Sequence, residues 1–292
     1  RSEQDRGRLT VGKRITFRAE SGERLTTALT ARVPGLSRSG ASRLVAGKNA
    51  RVDGVRVSSD VRLAGGETVD AFVPDSLVQA APSVRVVYAD DDVVVADKPA
   101  GVESERALPA LLAGRYGELY PVHRLDTNTT GLIVLARSEG AKSELERAFR
   151  AREIKKVYVA TVVGRLPAQS GIMHGWLVKD ETRGVVKAYD APVAGGLEAV
   201  TEYVRLSYAD GLTEVELHPL TGRTHQLRVQ LAHLGCPILG DGKYGDFAEN
   251  RRRGVTRQRL RAVGLTLGNM GGPLAGLSGK IFHTELTNEG QE

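Results

Sequence analysis

Two apolar, β-branched runs at residues 84–89 and 93–97 are separated only by Asp90-Asp91-Asp92. This pairing constrains the fold more than any other feature. Runs this short, joined by a polar turn, read as a β-hairpin, which Pro99 and Gly101 end. Further apolar strands are expected at 132–136, in KKVYVATVVG at 155–164, and at 199–206 and 212–217. Helical patterns interrupt them irregularly. One is expected around 108–115. A second follows Ser138, its N-cap, with apolar positions Ala141, Leu145, Ala148 and Phe149. A third lies in TGRTHQLRVQLAHLG, expected to be capped by Thr224 and stopped by Gly235. Leu227, Leu231 and Leu234 would share one face of it, with Arg228 opening an adjacent face. Strands and helices do not alternate, so the expected class is α+β with a central mixed, largely antiparallel sheet.

A smaller module is expected at 17–74, ahead of a linker at 75–83 and a main body at 84–292. Its Leu25, Ala28, Leu29 and Val33 form a helical stripe stopped by Pro34-Gly35. Ser39 is expected to cap a second helix that carries Leu44 and Val45 and closes at Gly47. Val52-Asp53-Gly54-Val55 signals a hairpin, and Gly65-Gly66 a turn before a strand at 68–73.

The net charge of +6 is unevenly spread. Residues 1–75 hold 14 Lys and Arg against 9 Asp and Glu, a balance of +5; the remaining 217 hold 27 against 26. A basic module on a nearly neutral body suits phosphate binding, although a solvated basic surface would look the same. No run approaches the roughly 18 apolar residues of a membrane span. The polar, basic start RSEQDRGRLTVGKR does not read as a secretory signal. One cysteine, Cys236, forms no internal disulfide, so a reducing cytoplasm is the expected location.

Common catalytic motifs are absent. The chain has no GxxxxGK[ST], no GxGxxG after a strand, no HExxH, no paired-cysteine spacing and no GxSxG. His123 with Asp126, or His225 with His233, lacks a third metal ligand, so no metal is expected. What remains is His123-Arg124-Leu125-Asp126, in a polar loop ahead of an apolar strand, and a second basic motif, Gly222–Arg228.

These segments resemble a known family. YPVHRLDTNTTGLIVLAR is similar to the signature of the RluA-type pseudouridine synthases, which act mainly on large-subunit ribosomal RNA. VVYADDDVVVADKPAG resembles the family's opening hairpin, KKVYVATVVG its tyrosine-bearing strand, and LTGRTHQLRVQLAHLGCPILGDGKYGD its arginine motif. The likeness covers about residues 84–270. It implies that Asp126 is the catalytic aspartate, Tyr158 the base-stacking tyrosine, Arg228 the aspartate's partner, and Arg124 the arginine that enters the RNA stack. It also implies that no metal or organic cofactor takes part. Residues 102–105, Gln230 and 259–264 depart from many relatives and bear on which RNA site is recognised.

Residues 17–74 resemble the small RNA-binding domain first described in ribosomal small-subunit protein four. That likeness implies RNA contacts from Arg38, Arg43, Lys48 and Arg51. Read without the family, Tyr158 is foremost a core aromatic of a strand and Arg228 a surface helix arginine, while Lys98 is equally an RNA contact or a turn lysine. The expected function is cofactor-free isomerisation of uridine to pseudouridine in RNA, preferably ribosomal RNA, by a monomer. A non-catalytic RNA-binding or assembly factor and a transfer-RNA-specific synthase are the alternatives.

Overall fold

The computed structural model describes residues 11–78 and 82–284. The polar start at 1–10, three residues of the expected linker (79–81) and the tail at 285–292 lie outside the described residues. The chain divides after Ser83 into two compact units.

In the first unit, β1 (Gly12–Arg18), α1 (Leu25–Arg32), α2 (Arg38–Ala46), β2 (Ala50–Val52), β3 (Val55–Val57) and β4 (Thr68–Pro74) follow in order. The strands form an antiparallel sheet in the order β1-β4-β2-β3. Leu25, Ala28 and Leu29 of α1 and Leu44 and Val45 of α2 bury against Val69, Ala71 and Val73 of β4. The Asp53-Gly54 turn has both residues at positive φ, 48° and 79°, the geometry that a two-residue hairpin demands. One expectation needs correction. The cap of α2 is Ser37, not Ser39: its Oγ accepts from the Gly40 N–H at 3.0 Å. Ser37 is the last residue with extended backbone, which a cap requires, whereas Ser39 already lies in the first turn. Strand β1 was not foreseen, because GKRITFR carries only Ile15 and Phe17 as large apolar residues. Asp75–Leu77, expected as linker, make a short 3-10 turn.

The second unit carries β5 (Arg85–Ala89), β6 (Val93–Lys98), α3 (Ala107–Tyr116), β7 (Tyr120–Pro121), β8 (Thr130–Ala136) and α4 (Glu139–Arg150). It continues with β9 (Lys155–Val163), β10 (Ser170–Asp180), β11 (Val185–Tyr189), β12 (Leu197–Ala209) and β13 (Leu212–Pro219). Last come α5 (Gln226–His233), α6 (Phe247–Arg252), β14 (Leu260–Thr266) and β15 (Ile281–His283). The sheet order is β11-β10-β12-β13-β9-β14-β8-β6-β5, with β15 beside β14 and β7 beside β8. Only β14 and β8 run parallel, so the sheet is mixed and largely antiparallel, as expected.

Strands β6 and β8 are buried on both faces, which explains their continuous apolar sequence. Val94, Ala96, Ile133 and Leu135 pack with Leu108 and Leu112 of α3. Val93, Val95, Leu132 and Val134 pack with Ala141, Leu145 and Ala148 of α4. Gly131 lets β14 approach: its φ is +108°, and a Cβ there would stand 2.1 Å from the Ala262 carbonyl oxygen. Ser138 caps α4 by accepting from the Ala141 N–H.

Other local expectations fail. Helix α5 begins at Gln226 behind His225, whose φ is +55°, and Thr224 caps nothing. Leu234 lies past the helix and is 37% exposed. Arg251 and Arg252 close α6, and Arg252 and Arg253 pair with Glu249.

Candidate active site

Asp126 sits on a short loop fastened from several sides. Ser104 Oγ accepts from the Leu125 N–H and donates to the Leu125 carbonyl, both in the buried interior. The Gly101 N–H and the Lys98 ammonium both donate to the Thr127 carbonyl. Lys98 is fully buried, and its ammonium also donates to the carbonyls of Pro99 and Val102. It is therefore not the surface turn lysine suggested by the sequence. Burial pulls its pKa down to about 8, against the opposing charges of Asp126 and Glu103. His123 Nε2 accepts from the Val134 N–H, tying the loop to β8, and its ring packs on Phe149. Dehydration, with the Lys156 charge, pushes His123 down to about 3, which keeps the ring neutral and Nε2 an acceptor. Glu103 accepts from the N–H groups of Glu105, Arg106 and Ala107, opening α3. The 102–105 segment thus anchors this loop.

Helix α5 brings Arg228 to the loop. Gln226 and Gln230, one turn apart, bind the helix to the sheet. Gln226 Nε2 donates to Val200 O and Thr201 Oγ1, and Gln230 Nε2 donates to Met173 O and Ala199 O. Gln230 is buried in that framework. Arg228 Nη1 donates to Asp126 Oδ2 at 2.9 Å. Its Nε and Nη2 donate to Asp241 Oδ2 and Oδ1 at 2.7 and 2.9 Å, a planar two-point grip.

Asp241 was not foreseen. It is fully buried, and its Oδ1 also accepts from the N–H groups of Lys243 and Tyr244. Burial works to raise its carboxyl, but the Arg228 guanidinium and those N–H donors hold it below the ordinary carboxylate range. Burial likewise opposes the Arg228 charge, which Asp241 and then Asp126 more than restore. One cation between two carboxylates leaves a net charge of −1. Asp241 compensates Arg228, so Asp126 is oriented by Arg228 and still brings negative charge to the site. Tyr244 lies under the guanidinium, 5.0 Å from ring centre to Cζ, and its hydroxyl accepts from the Val186 N–H.

Asp126, Arg228 and Tyr158 share one cleft of ≈ 530 Å³ between the 123–129 loop, β9 and the start of α5. Burial, then the Asp126 charge, pushes the Tyr158 phenol up, so it stays protonated and presents a neutral ring. Six basic residues line the cleft: Arg124, Arg150, Arg152, Lys156, Arg223 and Arg228. Asp126 is the single acidic residue of the lining. The near-neutral balance of the body hid this concentration, because its acids lie elsewhere. Arg124 is 62% exposed and reaches Glu105 at 3.4 Å. In the first unit, Arg38, Arg43, Lys48 and Arg51 are all exposed. No ion pair holds them among the described residues. Nor do the described residues contain a group of three or more His, Cys, Asp or Glu suited to a metal. No described helix is long and apolar enough to cross a membrane.

Comparison with known proteins gives this geometry a family. Residues 92–233 match the model described as RNA pseudouridylate synthase. The chain belongs to the RluA-type RNA pseudouridine synthases, enzymes that act on RNA. It is 38% identical to the dual-specificity RNA pseudouridine synthase RluA of Escherichia coli strain K12, over 64% of this chain and 87% of that protein. It is 29% identical to ribosomal large subunit pseudouridine synthase C of Vibrio cholerae, over 84% of this chain and 85% of that one. Among solved structures, human RNA pseudouridylate synthase domain containing 1 superposes with a TM-score of 0.59 at 27% identity, covering 65% of this chain and 80% of its own. Asp241 and Tyr244 lie beyond the matched family segment.

Proposed function

We propose that the cleft isomerises a flipped-out uridine, with Asp126 as the reacting carboxylate, Arg228 as its orienting partner and Tyr158 as the platform for the base. The observation that carries this reading is the Asp126–Arg228–Asp241 relay, buried at Asp241 and opening at the half-buried Asp126 beside a neutral phenol. Isomerisation breaks the N1–C1′ bond, turns the uracil and forms a C5–C1′ bond. The C5 hydrogen leaves to water and N1 ends protonated, so the balance needs no co-reactant or cofactor. An ionised Asp126 serves either as nucleophile at C1′ or as base at the sugar. Stacking on Tyr158 contributes about 1–3 kcal/mol, which offsets the few kcal/mol that flipping costs. Arg124 enters the vacated stack. Its exposed bond to Glu105 is worth only about 0–1 kcal/mol and is easily surrendered.

The first unit acts as the small RNA-binding domain, through Arg38, Arg43, Lys48 and Arg51 along α2 and its exit. The match to the Vibrio cholerae ribosomal enzyme is longer than the second unit alone, which supports a shared two-unit design and a preference for ribosomal RNA. Loops and RNA shape, rather than duplex sequence, guide recognition. The protein works as a monomer in the cytoplasm. Mapping pseudouridines in ribosomal and transfer RNA, from cells with the protein, without it, and with Asp126→Asn, tests the reading. Sites lost from ribosomal RNA in both altered strains are expected; loss confined to transfer RNA would refute the substrate preference.

A further inference from the structure

One wall of the cleft has no part in the chemistry above, and that wall is cationic. Arg150, Arg152 and Lys156 line it, at the end of α4 and the start of β9. Among the described residues, no hydrogen bond or ion pair engages any of these three side chains. The other cleft cations are engaged: Arg228 by two carboxylates, Arg124 by Glu105, and Arg223 through its Nε by the Glu198 carbonyl.

Two of the three positions are held against local preference. Lys156 is half-buried, and burial lowers its pKa. An unpaired, partly dehydrated ammonium is disfavoured until an anion reaches it. Arg152 has left-handed backbone, φ +60°. Its N–H donates to Phe149 O, while the Glu153 N–H donates to Ala148 O. This helix ending favours glycine, and a side chain there strains against the backbone. A cation near a helix C-terminus is favourable, but Arg147 and Arg150 already supply that charge in the last turn. Lys156 and Tyr158 are two apart on β9, so both side chains leave the same face of the strand. The cationic wall therefore starts beside the ring proposed to hold the base.

We propose that Arg150, Arg152 and Lys156 receive phosphodiester groups of the RNA strand that carries the target uridine. The strand's backbone is held along this wall while the base turns onto Tyr158. The inference rests on the reaction proposed above and adds the path of the substrate. Such contacts position the strand without reading its sequence, as long, flexible cationic side chains do.

The test uses the full chain and a labelled RNA stem–loop with a uridine-rich loop, with binding followed by anisotropy across a salt series. Each phosphate contact to a single strand contributes roughly 0.7 to the slope of log K against log salt. The combined variant Arg150→Gln, Arg152→Gln, Lys156→Gln is expected to flatten the slope by about 2. Arg152→Gly separates binding from folding, since glycine suits that backbone. Its Tm should hold or rise while its slope drops by roughly 0.7. Unchanged slopes in both variants overturn the proposal. So does slower turnover at saturating RNA with an unchanged slope, which would put the cations on the uracil instead. A wild-type protein that releases no C5 tritium, yet loses slope on these substitutions, would count against the reaction alone.

Discussion

At the scale of single residues, the account turns on how one guanidinium is shared. Arg228 faces Asp126 with one N–H and Asp241 with two, so the buried Asp241 carries most of its fixation. Asp241→Asn should destabilise the fold by about 3–5 kcal/mol, because the buried Arg228 charge loses the larger of its two partners. It should also reduce turnover of the remaining folded protein. Urea denaturation and single-turnover assays check both, and an unaltered midpoint would contradict the shared-partner geometry. Lys98 offers a test with pH. Its pKa is about 8 in the fold, against about 10.4 for an ordinary lysine. Below pH 8 both folded and unfolded chains hold the proton, and the burial penalty is complete. Between about pH 8 and 10.4 the unfolded chain holds more protons, so stability gains up to roughly 3 kcal/mol as pH rises. Subtracting the stability curve of Lys98→Met should isolate that rise; a flat difference would exclude it. Asp126, Tyr158 and Arg228 were singled out because each stands in a recognisable segment, and the three line one cleft. Asp241 was not singled out, because the burial of Arg228 between Leu227 and Val229, which calls for more than one acceptor, shows only in the folded chain.

Among elements, what was legible followed the strength of local pattern. The β5–β6 hairpin, α4 with its Ser138 cap, and β9 follow from apolar periodicity and turn chemistry. Strands β10 and β11 escaped notice, since SGIMHGWLVKD mixes glycine, histidine and charge, and gains its order from pairing with β12. The start of α5 was misplaced because no side chain caps it. Gln226 Oε1 instead accepts from the Arg223 N–H and Thr221 Oγ1, contacts made only once the chain is folded. The close pass of β8 and β14 was equally invisible, yet it sets where the Asp126 loop ends. Gly131→Ala should therefore cost more than about 3 kcal/mol, since the new Cβ meets the Ala262 backbone at a positive φ. Thermal unfolding reads this directly; a loss below about 1 kcal/mol would mean that the strands part without cost.

For the molecule as a whole, charge placement matters more than charge total. The +6 excess looks concentrated in the first quarter, but the second unit gathers six cations around one carboxylate in its cleft. In the first unit, Arg38 and Arg43 lie on the exposed side of α2, opposite the buried Ala41, Leu44 and Val45. Arg38→Ala with Arg43→Ala should weaken RNA binding and flatten its salt dependence by roughly 0.7–0.9 per lost phosphate contact. An unchanged slope in a filter-binding series would remove that helix from the interface. The central claim is that Asp126, aimed by Arg228, performs the isomerisation. Its most direct test is release of tritium from RNA labelled at carbon 5 of uridine. The wild-type chain should release it, and Asp126→Asn, with its fold verified by circular dichroism, should release none. Equal release by both proteins would contradict the claim.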